Sequence, residues 1–301
     1  MSILFPIIEI PSLDAPEEWE EMGTKEKFWF RDRNERLCLY KKARPNTGED
    51  WSEKVAAELC QLLSLPHADY ELATFNGSRG IISPSFRPEM GRLDLGNDVL
   101  FKLIPDYPKN VKAPSQHTLD NVFQVIGDPS VKSPSDWTLP EGIETAADVF
   151  IGYLMLDAWI GNSDRHHENW AFIRVGQQNY LAPTYDHASS LGRNESDSKR
   201  QERLTTKDRG FSIEAYTDKC KSCLYAKISD SKPLKTFDAF RKATEFSSKA
   251  ARIWLERLAI ISAANTLELF EQIPPNRITP IAIEFACKIL EINQTKLLEL
   301  L

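Results

Sequence analysis

The sequence has no apolar run long enough to cross a membrane and no excess of basic residues. Its apolar stretches end well short of the roughly 18 residues that a membrane-spanning helix needs. The opening stretch MSILFPIIEI has neither a basic leader nor a small-residue cleavage site, so no secretory signal is expected. Because 37 Lys and Arg face 44 Asp and Glu, the net charge of −7 argues against a general nucleic-acid-binding protein. We therefore expect a cytoplasmic protein with no direct nucleic-acid or membrane partner.

Cysteine is also scarce, and no complete metal-binding motif is present. The five cysteines are an odd number, which favours reduced thiols over disulfides. Cys220 and Cys223 form a single CxxC, whereas a structural zinc site needs four ligands, so they are interpreted as incidental thiols. HExxH is absent, and the adjacent His166 and His167 would face different sides of any regular element. A histidine-based metal site is therefore the weaker alternative.

The patterns that are present divide the chain into three parts. In residues 1–104 strand signals outnumber helical ones, and Asn76-Gly77 between two apolar runs predicts a β-hairpin. Residues 105–142, rich in Pro, Ser, Asp and Lys, indicate a connector or insertion with one short helix. Amphipathic helices dominate residues 143–301. The sequence thus predicts an α+β fold of two lobes, with a strand-rich N-lobe and a mainly helical C-lobe.

Capping signals locate two helices of special interest. Asp50 followed by Glu53 predicts a capping box at the start of the N-lobe helix. Thr145 and Asp148 predict another at the start of the apolar run VFIGYLMLDAWI, and Gly161 predicts its C-terminal end. A buried helix should therefore deliver the chain directly into the polar stretch GNSDRHHENW.

That polar stretch contains the spacing of a phosphoryl-transfer loop. Asp164 and Asn169 form D-x-x-x-x-N, in which the aspartate of a kinase accepts the proton of the attacking hydroxyl and the asparagine holds magnesium. Taken alone the spacing is weak, because both residue types are common in ordinary turns. His166 between them is expected to brace the loop or to contact the transferred phosphate.

A predicted hairpin after this loop strengthens the hypothesis. The segments WAFIRV and YLAPT flank GQQN, which is interpreted as a four-residue turn. If Val175 pairs with Tyr180, Asn169 lies opposite Asp186, with Cβ atoms about 5 Å apart. Two oxygen-bearing side chains at that distance can share one Mg²⁺ ion, whose shell phosphate oxygens and water would complete.

The N-lobe offers candidate residues for the nucleotide. Lys41 ends an alternating strand, where a kinase has its phosphate-binding lysine. Glu53 is a candidate ion-pair partner for Lys41, with Glu58 as the alternative. Backbone N–H groups that could cradle phosphates are offered by a short segment with a single glycine: Gly23, Thr24 and Lys25.

Together, these segments resemble the HipA-like kinases. The resemblance rests on MGTKEKFWF, LYKKAR, GEDWSEKVAAEL, GNSDRHHENW and LAPTYDHASSLG, and it covers roughly residues 20–195. Members of this family are bacterial serine/threonine kinases with a protein-kinase-like two-lobed fold, and several are toxins of toxin–antitoxin systems. The resemblance implies an ATP- and Mg²⁺-dependent serine/threonine protein kinase, with the following site: Asp164 as general base, Asn169 and Asp186 at magnesium, Lys41 at the ATP phosphates with Glu53 as its partner, and residues 23–27 over the nucleotide.

The resemblance also implies partners and regulation. The expected acceptor is a protein, with aminoacyl-tRNA synthetases as the example that would link the chain to translation, and the expected companion is an antitoxin or another small protein. Thr24 is a candidate autophosphorylation site. A phosphoinositide kinase, which shares the D-R-H-x-x-N loop, a small-molecule kinase and a non-catalytic pseudokinase remain the alternatives. A basic run after the YD motif is interpreted either as a solvated face or as an attractant for an acidic substrate: Lys199, Arg200, Arg203, Lys207 and Arg209.

Overall fold

The computed structural model describes residues 3–11 and 26–301, together with the backbone of residues 18–19. The strands within these ranges are β1 (Ile7–Ile10), β2 (Glu18–Trp19), β3 (Lys27–Arg31), β4 (Leu37–Lys42), β5 (Glu71–Phe75), β6 (Ser78–Pro84), β7 (Arg92–Leu95), β8 (Val131–Lys132), β9 (Ala171–Val175) and β10 (Gln178–Leu181). The helices are α1 (Glu49–Leu63), α2 (Gly96–Leu103), α3 (Leu119–Ile126), α4 (Ala146–Ile160), α5 (Asp197–Thr205), α6 (Ile213–Asp218), α7 (Thr236–Ala243), α8 (Ser248–Ile260), α9 (Ala263–Glu271) and α10 (Pro280–Leu298).

The first part of the chain forms a six-stranded sheet in the order β1-β5-β6-β4-β3-β2. All neighbours are antiparallel except β1, which runs parallel to β5. The predicted β5–β6 hairpin is confirmed, and its turn residues Asn76 and Gly77 have φ of 47° and 72°. Positive φ at both positions is what a two-residue type I′ turn requires.

A second, four-stranded sheet in the order β7-β9-β10-β8 carries the segment after the Asp164 loop. The predicted register of its central hairpin is wrong. Gln178, not Tyr180, pairs with Val175, so the turn contains two residues rather than four. Gly176, at the first turn position, has φ of 59°, as a type II′ turn requires. Continued along the strands, this register places Asn169 opposite Thr184, two residues before the predicted partner.

Helix α4 is the centre of the helical part. Its apolar residues surround the whole helix, and 13 of its 15 residues are buried, as expected for a helix enclosed on every side. Helices α7, α8 and α10 pack around it. The predicted Thr145–Asp148 capping box is present, and Gly161 ends the helix with φ of 66°. Among the described helices none is long and apolar enough to cross a membrane.

Helix α1 begins differently from the prediction. Gly48 is its N-cap residue and no side chain caps the helix, so the proposed capping box is wrong. Both carboxylates are buried and serve tertiary contacts instead. Asp50 accepts hydrogen bonds from Arg79 of β6 and from Arg277, which precedes α10. Glu53 binds backbone N–H groups in the candidate site, described below. Helix α1 thereby contacts the first sheet and the helical part together.

The predicted α+β class, with a strand-rich region followed by a helical one, is confirmed. Strands β7 and β8 lie on either side of residue 104, and both join the second sheet. The division into residues 1–104, 105–142 and 143–301 stays a prediction.

The connector is attached to the core through a buried histidine. The His117 Nδ1 lies 2.9 Å from the carbonyl oxygen of Cys223, and its Nε2 accepts a hydrogen bond of 3.1 Å from the Trp170 indole N–H. Both contacts require the neutral ring with its proton on Nδ1. Burial lowers the pKa of His117 from its ordinary 6.5 to about 3.

This histidine should make the fold sensitive to acid. The unfolded chain takes up a proton near pH 6.5, and the folded chain does so only near pH 3. The stabilising contribution is therefore complete above pH 6.5 and is lost as the pH falls, by about 1.4 kcal/mol per unit for this group. We expect urea unfolding between pH 7 and 4.5 to show this decline, and His117→Gln to show a shallower one. Identical slopes for both proteins would contradict the assignment.

Candidate active site

The loop after α4 is held by a buried asparagine. The Asn162 side chain donates through Nδ2 to Asp157 Oδ1 at 2.8 Å, and its Oδ1 accepts from the backbone N–H of Asp164 at 3.2 Å. The positive φ of Gly161 turns the chain just before this contact. As a result, the Asp164 carboxylate reaches the opening of the site, with a quarter of its side chain exposed.

Arg165 forms the interior support of the loop. Its fully buried guanidinium binds both carboxylate oxygens of Asp157, at 2.7 and 2.8 Å. It also donates to the Asn169 carbonyl oxygen at 2.6 Å and to Thr184 Oγ1 at 2.9 Å. One side chain thereby ties together helix α4, the end of the loop and the segment after β10. The arginine of the DRHHEN motif is a structural residue that the sequence interpretation did not identify.

The two predicted metal ligands present oxygen atoms. Asn169 donates through Nδ2 to the Asp164 carbonyl oxygen at 2.6 Å, which leaves its Oδ1 without a hydrogen bond from any described residue. Asp186 adopts φ of 61°, and its backbone N–H donates to the Tyr70 hydroxyl at 3.2 Å. Its side chain is 34% exposed, and Oδ1 lies 3.3 Å from Lys41 Nζ. A carboxylate and an amide oxygen are hard donors of the type that Mg²⁺ prefers, so this pair fits the ion.

Lys41 reaches the site from β4 of the first sheet. Burial by itself lowers the pKa of this lysine, but Asp186, Tyr70 and Glu53 together outweigh burial, so the pKa lies well above its ordinary value. The ammonium group also lies 5.7 Å from the centre of the Tyr70 ring. Lys41 is therefore a permanent cation facing the candidate metal ligand.

The ion pair expected between Lys41 and Glu53 does not form. The fully buried Glu53 carboxylate instead accepts from the backbone N–H of His187 at 2.6 Å and of Ala188 at 3.0 Å. Glu53 therefore fixes the segment that directly follows Asp186. Its only effect on Lys41 is electrostatic, because its negative charge helps to raise the pKa of the lysine. Glu58, the alternative partner, forms its ion pair within α1.

The adjacent histidines point in different directions, with their ring planes 81° apart. His166 Nε2 lies 4.0 Å from Asp164 Oδ1, and its Nδ1 accepts from the Glu168 backbone N–H at 3.2 Å. Burial lowers the pKa of His166. His167 turns inward and binds the Tyr107 hydroxyl at 2.8 Å. Across residues 3–11 and 26–301, no three His, Cys, Asp or Glu side chains converge as metal ligands.

A lysine from the connector completes the surroundings of Asp164. Lys112 Nζ lies 2.8 and 3.1 Å from the two Asp164 carboxylate oxygens. Its side chain is 64% exposed, so solvent and salt screen this pair strongly. No periodic pattern in the connector indicated this contact.

One predicted part of the site cannot be compared with the structure. The nucleotide-covering segment of Gly23, Thr24 and Lys25 lies outside the described residues. The strand that follows it, β3, pairs with the strand of Lys41 through Lys27.

Comparison with known proteins gives structural relatives only. No protein-family model matches the chain, and no curated protein sequence matches it. The structure is similar to the Helicobacter pylori proinflammatory kinase CtkA, with a TM-score of 0.74 at 20% sequence identity, over 98% of this chain and 99% of that one. It is also similar to HipA of a Shewanella oneidensis toxin–antitoxin system, with a TM-score of 0.55 at 11% identity, over 95% of this chain and 66% of that one. The chain therefore has the two-lobed fold of the HipA-like kinases.

Proposed function

We propose that the chain is an ATP- and Mg²⁺-dependent kinase that transfers a phosphoryl group to a serine or threonine hydroxyl of a protein. The observation that carries the proposal is the meeting of Lys41 with Asp186 at 3.3 Å beside the Asp164 loop. The Asp164 and Asp186 carboxylates both favour the protonated form of His166, as expected for groups that lie near it, although burial outweighs them and lowers its pKa. The kinase fold of the chain supports the same conclusion.

The first set of roles concerns the nucleotide. Asp186 and Asn169 Oδ1 would hold the magnesium ion, and Lys41 would neutralise charge on the phosphates. Bound Mg-ATP would supply the phosphoryl group. Lys41 and Asp186 already lie 3.3 Å apart. The cation for the phosphates and the carboxylate for magnesium are therefore both in place without a rearrangement of the site. Positioning and charge stabilisation of this kind are the main contributions of a protein to phosphoryl transfer.

The second set of roles concerns the acceptor. The Asp164 carboxylate would orient the hydroxyl and accept its proton. Because the His166 Nδ1 accepts a backbone hydrogen bond, the neutral ring carries its proton on Nε2, on the side of Asp164. His166 can therefore donate a hydrogen bond to an oxygen of the transferred group or brace the base. Lys112 adds positive charge next to both carboxylate oxygens of Asp164.

We extend the proposal to a toxin that acts on translation, with an aminoacyl-tRNA synthetase as the protein acceptor. Support for a companion protein comes from the S. oneidensis HipA, which was solved together with HipB and operator DNA. An antitoxin or another small protein is accordingly the proposed partner of this chain. Autophosphorylation at Thr24 is part of the same proposal.

Magnesium-dependent ATP binding tests the nucleotide site. We expect Asp186→Asn to weaken ATP binding in the presence of Mg²⁺ by about tenfold or more, because a charged ligand to the ion is lost. Calorimetric titration of ATP with and without Mg²⁺ measures the effect. Asp106→Asn is the matched control, since Asp106 is exposed and has φ of 57°, close to the 61° of Asp186. Wild-type protein that binds no ATP, or binds it equally without magnesium, would contradict the proposal and favour a pseudokinase.

A further inference from the structure

A basic pocket of about 360 Å³ lies beside the catalytic loop. Its walls come from the loop at Gly161 and Ser163, from residues 189–194, from Arg203 of α5 and from residues 211–221. The charged residues among the described lining are all cations: Arg193, Arg203, Lys219 and Lys221. The whole chain carries a net charge of −7, so this basic pocket is a local reversal of the overall charge.

The basic pocket adjoins the site of the proposed general base. Ser163 donates through its backbone N–H and its hydroxyl to the Ser189 carbonyl oxygen, at 3.0 and 3.2 Å. This contact forms the wall that the basic pocket shares with the loop, and Asp164 is the next residue. An extended peptide advances about 3.3 Å per residue. Because Ser163 lines the basic pocket and is the chain neighbour of Asp164, residues a few positions from an acceptor hydroxyl at Asp164 would come close to the pocket.

The two arginines belong to the wall of the basic pocket. Arg193 is buried and pairs with Glu49, and its Nη2 also donates to Ser189 Oγ at 3.0 Å. Its Nε is buried without a hydrogen-bond partner. Arg203 pairs with Glu195 at 2.8 Å. These side chains are held by their carboxylate partners, so they shape the wall of the basic pocket, and most of their charge is balanced within it.

The two lysines are the groups free to bind. Lys219 and Lys221 are exposed, and neither forms an ion pair with any described residue. Lys219 donates to the Gly210 carbonyl oxygen at 3.0 Å, an exposed contact that an anion can replace. Charge-assisted hydrogen bonds to a carboxylate are stronger than such a neutral contact.

We propose that the basic pocket binds an acidic segment of the acceptor protein, next to the hydroxyl that receives the phosphoryl group. The inference rests on the proposed kinase function and specifies its substrate. The volume suits one or two carboxylate side chains and is too small for a polyanion surface. Because the chain as a whole carries a net charge of −7, an extended polyanion such as nucleic acid or an anionic membrane surface would meet repulsion outside the basic pocket, whereas a short acidic segment would contact the pocket alone. An acidic peptide is therefore favoured over an anionic membrane.

Peptide kinetics test the inference. One peptide carries a single serine flanked by Asp and Glu, and its matched partner carries Asn and Gln at the same positions. We expect wild-type protein to show a lower KM for the acidic peptide. In the double variant Lys219→Gln/Lys221→Gln this KM should rise roughly three- to tenfold, with kcat within about twofold, because only peptide binding is weakened. The double variant Lys227→Gln/Lys232→Gln is the control, since both lysines are exposed, lie outside the lining and carry the same charge.

Binding measured without catalysis separates this inference from the proposed function. Fluorescence anisotropy of the labelled acidic peptide should show weaker binding to the pocket variant than to the control variant. Peptide binding without phosphoryl transfer would contradict the kinase function and leave the basic pocket in place. Equal affinity for the two peptides, or an equal loss in both double variants, overturns the inference. Phosphorylation of phosphatidylinositol vesicles that depends on Lys219 and Lys221, with no peptide preference, overturns it in favour of a lipid acceptor.

Discussion

Replacing Asp164 with asparagine is expected to lower phosphoryl transfer by about 10²- to 10⁴-fold, the usual contribution of a general base. Asparagine matches the shape of the side chain but cannot accept the proton of the acceptor hydroxyl. ATP binding should persist, because the proposed contacts to Mg-ATP come from Lys41, Asn169 and Asp186. Initial rates with labelled ATP, together with calorimetric ATP binding, measure the two effects separately.

The control for this substitution is Asp120→Asn, at an exposed position in the first turn of α3. It should retain wild-type rates. An Asp164→Asn protein that stays folded and keeps more than about a tenth of the wild-type rate would contradict the role of Asp164 as the base. The same pair of variants tests the toxin proposal in growing cells. The toxin proposal is supported if the wild type and Asp120→Asn arrest growth and Asp164→Asn does not. Equal arrest by Asp164→Asn would show that growth arrest does not need phosphoryl transfer.

The second large effect concerns stability. Arg165→Met should lower the free energy of unfolding by about 3–5 kcal/mol, because it leaves the buried Asp157 carboxylate without its partner. Urea unfolding at pH 7 measures the change. Arg241→Met, which removes an exposed ion pair with Asp238, should change the stability by less than about 1 kcal/mol. An Arg165→Met protein with stability close to wild type would mean that the guanidinium does not support the loop.

A double variant separates lost charge pairing from lost packing. Replacing both partners, with Arg165→Met and Asp157→Leu, leaves no buried charge unpaired. It should therefore recover a large part of the stability lost in the single variant. Phosphoryl transfer should not recover with it, because the ties to the Asn169 carbonyl and to Thr184 are still missing.

Local backbone chemistry explains which parts of the fold could be predicted. The Asn76-Gly77 turn and the end of α4 at Gly161 depend on neighbouring residues alone, and both predictions are confirmed. The hairpin register failed because GQQN was interpreted as one loop, although the glycine permits a two-residue turn. The resulting slip is two residues, which keeps each side chain on its predicted face but changes its partner.

In the candidate site, too, contacts between residues distant in sequence could not be predicted. Asp164 and Asn169 are close in sequence, so their spacing is enough to propose them for the site, and their roles stay a prediction. The hydrogen bonds of Glu53 could not be predicted, because the backbone groups that it binds lie more than 130 residues away in the sequence. Lys112 comes from a connector without periodic pattern. The sequence carries one signal for the buried pair: Asp157 interrupts the apolar run of α4, and a buried carboxylate requires a cation or several hydrogen bonds.

The paired arginines on Asp50 bear on how the cleft can move. Arg277 binds Asp50 and also donates to the Ala73 carbonyl oxygen and Thr74 Oγ1 of β5, and Arg79 closes the group from β6. These hydrogen bonds to the buried Asp50 carboxylate join the first sheet, α1 and the chain before α10. In the proposed kinase, nucleotide exchange should therefore open the molecule between Lys41 and Asp186, while the contacts of Asp50 stay closed and act as the hinge.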